Sequence, residues 1–236
     1  MEPALYLIPV TLGDTPHSQV LPDYNTGIIR NIKFFIVEDL RSARRFLKKV
    51  DRDINIIDEL TFFAMGKHAS SEVFASYLRP LEQGMPVGVI SEAGCPAVAD
   101  PGADVVAIAQ RKGLRVIPLV GPSSMILAVM ASGFNGQSFA FNGYLPIDPA
   151  ERAKRIKMLE QRVYSEHQTQ LFIETPYRNA KMFEEVLRTC RPQTRLCVAA
   201  GITCKEEYIK TRTVQEWKKH PLPDLSKVPA IFLIYK

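Results

Sequence analysis

The sequence predicts an α/β protein of two α/β domains, the N-terminal one built on a parallel sheet and the C-terminal one on a mixed sheet. Three observations carry this. Apolar, strand-like runs alternate with amphipathic stretches almost from end to end, the pattern of parallel strands buried on both faces. The texture changes near Gly121, after which a long charged helical pattern appears and the closing strands follow a polar one. A chain of 236 residues is long enough to bury a substantial core in either one or two domains.

In order, "ALYLIPV" opens the chain as a strand, and "KFFIVE" is a second, leading into the helical "RSARRFLKKV". The stretch "SEVFASYLRPLEQG" reads as a helix ending at Gly84, "PVGVIS" as a strand, "ADVVAIAQRKG" as a helix closed by Gly113, and "LRVIPLV" as a strand. Residues 1–120 are taken as the first domain and 121–236 as the second. The second continues with the strand "SFAFNGYLP" and the charged helix "AERAKRIKMLEQRV". After these come the strand "TQLFIE", the helix "NAKMFEEVLRTC", and the strands "RLCVAAGI", "EEYIKTRT" and "PAIFLIY". "KKHPLPDLSKVP" is a Pro-rich surface connection before the last strand.

Composition excludes several classes. No apolar run approaches the roughly 18–20 residues a membrane helix needs, and the first ten residues lack a cleavable leader pattern, so a cytoplasmic protein without a membrane partner is expected. Four cysteines without a CxxC pair or a zinc-like Cys/His cluster predict reduced thiols and no metal. The formal charge of +5 permits a polyanionic partner but does not require one.

Ligands of open parallel sheets sit outside the carboxyl ends of the strands, so four loops are candidates. "PVTLGD" holds one glycine, lacks G-x-G-x-x-G, and offers neither a nicotinamide dinucleotide site nor a P-loop. In "GVISEAGCPAVADPG", Ala93 and Gly94 would let main chain approach a ligand, Pro96 and Pro101 stiffen the path, and Glu92 could accept from a ligand ammonium. The alternative is a turn whose "DPG" starts a helix. Ser123 and Ser124 in "LVGPSSMILAVMASG" offer hydroxyls at a helix start, where serine also serves as a cap. "FIETPYR" delivers Glu174 and Arg178, a pair suited to a polar substrate or to a helix start with a surface arginine.

Taken together, "VISEAGCPAVADPG", "VIPLVGPSSMILAVMASG" and "LFIETPYRNAKMFEEVL", in this order and spacing, resemble the tetrapyrrole methylase family of S-adenosylmethionine-dependent methyltransferases. Within it the chain is most similar to the branch that methylates a ribose 2′-hydroxyl of small-subunit (16S) ribosomal RNA, and "VEDLR" matches that branch's acidic motif. The resemblance implies two α/β domains with the cofactor in the cleft between them, commonly in a homodimer. S-adenosylmethionine would be the cofactor and S-adenosylhomocysteine its product.

Carried over by position, the resemblance places Leu12, Ala93, Gly94, Cys95, Val98, Ser123 and Ser124 beside the cofactor. Glu174, Ala200, Gly201 and Pro229 join them from the second domain. The first loop lacks the Pro-Ile-Gly-Asn pattern of the ribosomal branch, and Ala200 and Gly201 stand where that branch carries Arg-Glu.

In-line methyl transfer needs no metal, and a ribose hydroxyl needs a base or a compensating cation. Glu38, Asp39, Glu174 and Lys205 are the candidates, with Arg41 and Arg178 as clamps for phosphate or carboxylate. "RSARRFLKK" and "ERAKRIK" would present basic surface to RNA. Carbon methylation of a tetrapyrrole, or a binding module without catalysis, are the alternatives.

Overall fold

The computed structural model describes residues 1–50, 59–66, 70–221 and 224–236. It forms two compact units, Met1–Ser123 and Ser124–Lys236.

The first unit runs β1 (Leu5–Ile8), α1 (His17–Val20), α2 (Asp23–Ile29), β2 (Phe34–Val37), α3 (Leu40–Val50), β3 (Thr61–Ala64), α4 (Ser71–Tyr77), α5 (Arg79–Glu82), β4 (Val87–Ile90), α6 (Gly102–Arg111) and β5 (Val116–Pro118). Its five strands are all parallel, in the order β3-β2-β4-β1-β5. Successive side chains of a strand point to opposite faces, and the two faces bury two different helix sets. Tyr6, Ile8, Phe35 and Val37 pack with Ile29 of α2 and with Ala43, Phe46, Leu47 and Val50 of α3. Leu5, Ile36, Val87 and Val89 pack with Phe74, Leu81, Val105 and Ile108 of α4, α5 and α6. The spacing 43, 46, 47, 50 is one stripe of a helix, and each large side chain so buried contributes about 1.5–3 kcal/mol.

The stretch predicted as one helix over 71–84 breaks at Leu78 into α4 and α5. Pro80 supplies the reason, since it brings no N–H to the preceding turn and fits only the start of a helix. The strand β3 was not anticipated. It is short, half-exposed and at the sheet edge, so neither alternation nor an apolar run marks it.

From β1 the chain turns to the face covered by α2 and α3, whereas from the neighbouring β4 it turns to the face of α6. The carboxyl ends of β1 and β4 therefore border a topological switch point, where a doubly wound sheet opens a crevice.

The second unit runs α7 (Ser124–Ser132), β6 (Phe139–Tyr144), α8 (Pro149–Glu166), β7 (Thr169–Glu174), a single 3₁₀ turn (Pro176–Arg178), α9 (Asn179–Thr189), β8 (Arg195–Ala200), β9 (Tyr208–Thr213), α10 (Val214–Trp217) and β10 (Ala230–Tyr235). The sheet order is β6-β7-β10-β8-β9, with β6 parallel to β7 and the remaining pairs antiparallel. One face buries Phe172, Leu196 and Phe232 against Ile156 and Leu159 of α8, Met182 and Val186 of α9, and Trp217 of α10. Helix α7 lies along β8, β9 and β10.

Local chemistry fixes the helix ends. Asp148 caps α8 by accepting from Ala150 and Glu151, with Pro149 at the first position, and Thr213 and Glu216 form a reciprocal capping box on α10. The Trp217 indole N–H donates to the Leu196 carbonyl at 2.8 Å, and the guanidinium of Arg212 lies 4.6 Å from the ring centroid. Asn179 is fully buried and donates to the carbonyls of Leu225 and Val228, which ties the proline-rich connection to α9. Leu222 and Pro223 of that predicted connection lie outside the described residues.

Candidate active site

The loop after β4 is held by one carboxylate. Asp100 accepts the Ala97 N–H with both oxygens, at 3.0 and 2.9 Å, and the Gly102 N–H at 2.7 Å. Burial pushes the Asp100 carboxyl above the ordinary aspartate range, and the Gly102 and Ala97 N–H groups pull against that shift. Between these anchors Ala97 and Ala99 sit at φ 67° and 61°, a left-handed conformation that costs an alanine about 1–2 kcal/mol. Two strained alanines within three residues mark a loop whose shape is over-determined by its surroundings. Ala93 and Val98 stay exposed on it.

Three loops interlock here. The Val10 N–H donates to the Gly94 carbonyl at 2.9 Å, which joins the loops after β1 and β4. Gly94 has φ 70°, and a Cβ on it would come within 3.1 Å of Leu12 Cδ2 and 3.3 Å of the Pro122 carbonyl oxygen. The Cys95 thiol donates to that Pro122 carbonyl at 3.4 Å, and burial raises its pKa, which keeps it a donor. A Cβ on Gly121 would lie 2.3 Å from Pro9. The small size of Gly94 and Gly121 is thus used for loop against loop.

The acidic motif after β2 reaches the same place. The Glu38 N–H donates to the Ile90 carbonyl at 3.1 Å, and its carboxylate accepts the Glu92 N–H at 3.0 Å. Asp39 is differently employed. Its Oδ1 accepts the Ser42 N–H at 2.7 Å at the start of α3, and the Ser42 N–H and hydroxyl hold its carboxyl below the usual aspartate range. Arg41 follows, exposed on the first turn.

Two open grooves meet at Glu92. One, of about 440 Å³, lies between the loop Val10–Thr15 and α3 and is lined by Leu12, Ser42, Arg45, Lys49 and Glu92. The other is lined by Asp39, Leu40, Arg41, Arg44 and Glu92. Asp100 and the row Ser42, Arg45, Lys49 were not singled out individually from the sequence. The spacing of an Asp three residues after Ala97 and before Pro-Gly is the signal that would have found the first.

In the second unit, Glu174, Ala230 and Ala200 stand opposite one another across β7, β10 and β8, at one end of the sheet. The Gly201 N–H donates to the Pro229 carbonyl at 3.0 Å, so Glu174, Ala200, Gly201 and Pro229 are gathered on this sheet end. Glu174 is buried and accepts from the Thr175 N–H at 2.7 Å and from Arg178 at 3.0 and 2.8 Å. Lys205 is exposed in the following turn and is not part of that paired cluster. Ser123 closes the first unit and Ser124 opens α7. Among the described residues no group of His, Cys, Asp and Glu could hold a metal ion, and no helix is long and apolar enough to cross a membrane.

No family model matches the chain. It is 27% identical over 214 residues to a protein named ribosomal RNA small subunit methyltransferase I from Vibrio cholerae, covering 91% of this chain and 70% of that one. A protein of the same name from Mesorhizobium japonicum is 28% identical over 223 residues, covering 93% and 70%. Among solved structures, the methyltransferase CobJ superposes with a TM-score of 0.64 at 14% identity, over 99% of this chain and 94% of that one. Uroporphyrin-III C-methyltransferase from Thermus thermophilus, solved in complex with S-adenosylhomocysteine, superposes with a TM-score of 0.53 at 18% identity, over 99% and 97%. The order of motifs, the parallel-then-mixed pair of sheets and these likenesses agree: the chain is similar in sequence to proteins named ribosomal RNA small subunit methyltransferase I, and in fold to methyltransferases that include a uroporphyrin-III C-methyltransferase.

Proposed function

We propose that the protein is an S-adenosylmethionine-dependent methyltransferase acting on RNA of the small ribosomal subunit, with a ribose 2′-hydroxyl as acceptor. The observation that supports this most strongly is the likeness, over nine-tenths of the chain, to proteins named for that RNA. The residues present fit the cofactor. A loop held in shape by Asp100 presents Ala93 and Val98 at a switch-point crevice, and Leu12, Glu92, Gly94 and Cys95 surround its base. These residues, with Ser123, are assigned to cofactor binding in the first unit, and Ser124 at the start of the second. Glu174, Ala200, Gly201 and Pro229 are assigned to it in the second.

When bound, S-adenosylmethionine supplies a methyl group on a sulfonium, displaced in line. The chain's own part is chiefly to align the acceptor oxygen with it, since positioning can remove most of such a barrier. The Ser42 N–H and hydroxyl hold the Asp39 carboxyl low, and Glu174 is buried against Arg178. Glu38 is assigned as the group that takes the hydroxyl proton, held in place through its bond to the Glu92 N–H. Arg41 is assigned to phosphate, and the basic faces of α3 and α8 to the RNA backbone. A second copy of the chain is assigned as partner on the family resemblance alone. The location assigned is cytoplasmic.

The test is twofold. S-adenosylmethionine should raise the thermal midpoint of the protein, and labelled methyl should pass to isolated small-subunit RNA or particles and not to a precorrin. Label on the precorrin alone would replace this reading with carbon methylation, and stabilisation without any transfer would make the protein a binding module.

A further inference from the structure

Helix α3 carries two sets of cations, one toward each groove. Ser42, Arg45 and Lys49, at i, i+3 and i+7, line the groove beside the loop after β1. Arg41 and Arg44 line the other. Glu92 borders both, while Asp14 also lines the first groove and Asp39 the second.

We propose that these grooves seat two phosphates of the acceptor strand, one on Arg45 and Lys49 and one on Arg41 and Arg44, with a ribose between them at Glu92. This rests on the reading of the acceptor as RNA and adds its register. The centres of the two pairs are offset by about 7 Å along the helix axis, and they face different grooves. A carboxylate between them repels a third phosphate, so the strand cannot slide to put a phosphate at Glu92. The sugar is thereby placed at the head of the loop assigned to the methyl donor.

The existing partners permit this. Lys49 pairs with Asp14 at 2.9 Å, but both side chains are more than half exposed, and such a pair is readily exchanged for a phosphate. The guanidinium of Arg44 lies 5.4 Å from the Phe62 ring centroid, which orients its plane without using its hydrogen-bond donors. The Asp39 carboxylate is turned to the Ser42 N–H.

The experiment titrates a labelled, mixed-sequence single-stranded RNA against the full chain over a range of salt concentrations. It compares wild type with Arg45→Ala/Lys49→Ala and with Arg41→Ala/Arg44→Ala. Each double variant should lose about 0.7 from the slope of log affinity against log salt, and the two together about 1.4. Arg45→Lys/Lys49→Arg should keep the slope. Arg45→Gln and Lys49→Gln, which retain the stems covering the helix, serve where alanine unfolds the protein. Stabilisation by S-adenosylmethionine should be unchanged throughout. An unaltered slope in either double variant overturns the two-seat register, as does loss of cofactor stabilisation in step with RNA binding. Failure of the parent reading looks different: the wild type itself would show neither cofactor stabilisation nor label on RNA.

Discussion

The main-chain N–H of Glu92 donates to the carboxylate of Glu38 at 3.0 Å across 54 residues of sequence. One bond thus joins the loop after β2, where the proton acceptor is assigned, to the loop after β4, where the cofactor is assigned.

Glu38→Gln keeps an oxygen for that bond and removes the basicity. It should lower kcat by about 10²–10⁴-fold while leaving the KM for S-adenosylmethionine near wild type. Glu38→Ala removes the tether as well and should raise that KM in addition. Unchanged turnover in Glu38→Gln would reassign the base.

Gly121→Ala tests the interlocked loops. Its Cβ would be 2.3 Å from Pro9, a contact that only backbone movement relieves. Overpacking of this kind costs about 1–3 kcal/mol, or roughly 2–4 °C in apparent thermal midpoint per kcal/mol for a chain of this size. A midpoint equal to wild type would mean the loops after β1 and β5 are not in contact in solution.

Ala97→Gly and Ala99→Gly should each stabilise the protein. Left-handed alanine costs about 1–2 kcal/mol, and the added freedom of glycine in the unfolded chain takes back about 0.4–1 kcal/mol. The expected net gain of about 0.5–1 kcal/mol should come with a higher KM for S-adenosylmethionine, because the loop loses rigidity. A loss of stability would show that the two positions are not strained.

Asp39 sets a pH dependence. Its carboxyl is held low in the folded protein by the Ser42 N–H and hydroxyl, so its contribution is present above the ordinary aspartate range and fades as pH falls through the depressed value. The thermal midpoints of wild type and Asp39→Ala should differ at neutral pH and draw together on acidification. A constant gap down to the acid limb would deny the carboxylate its cap.

Much of the architecture was legible because burial on both faces leaves continuous apolar strands such as "GVI", and because α3 carries its core stripe at helical spacing. The edge strand β3 was not, since half-exposed positions leave no periodicity. At the site, the motif loops could be located, but the use made of their small residues could not. Gly94 reads as room for a ligand, and the register of β1 against β4 brings Leu12 beside it as well. The Glu38 to Glu92 bond and the two grooves likewise depend on β2 lying beside β4, a tertiary fact with no local signal.

The chain's single tryptophan, Trp217, is 1% exposed in the core of the second unit, while the tyrosines supply the near-ultraviolet signal of the first. Selective excitation of indole emission therefore reports the melting of one half alone. Compared with calorimetry, which registers both, it tells whether S-adenosylmethionine makes the two halves unfold in concert.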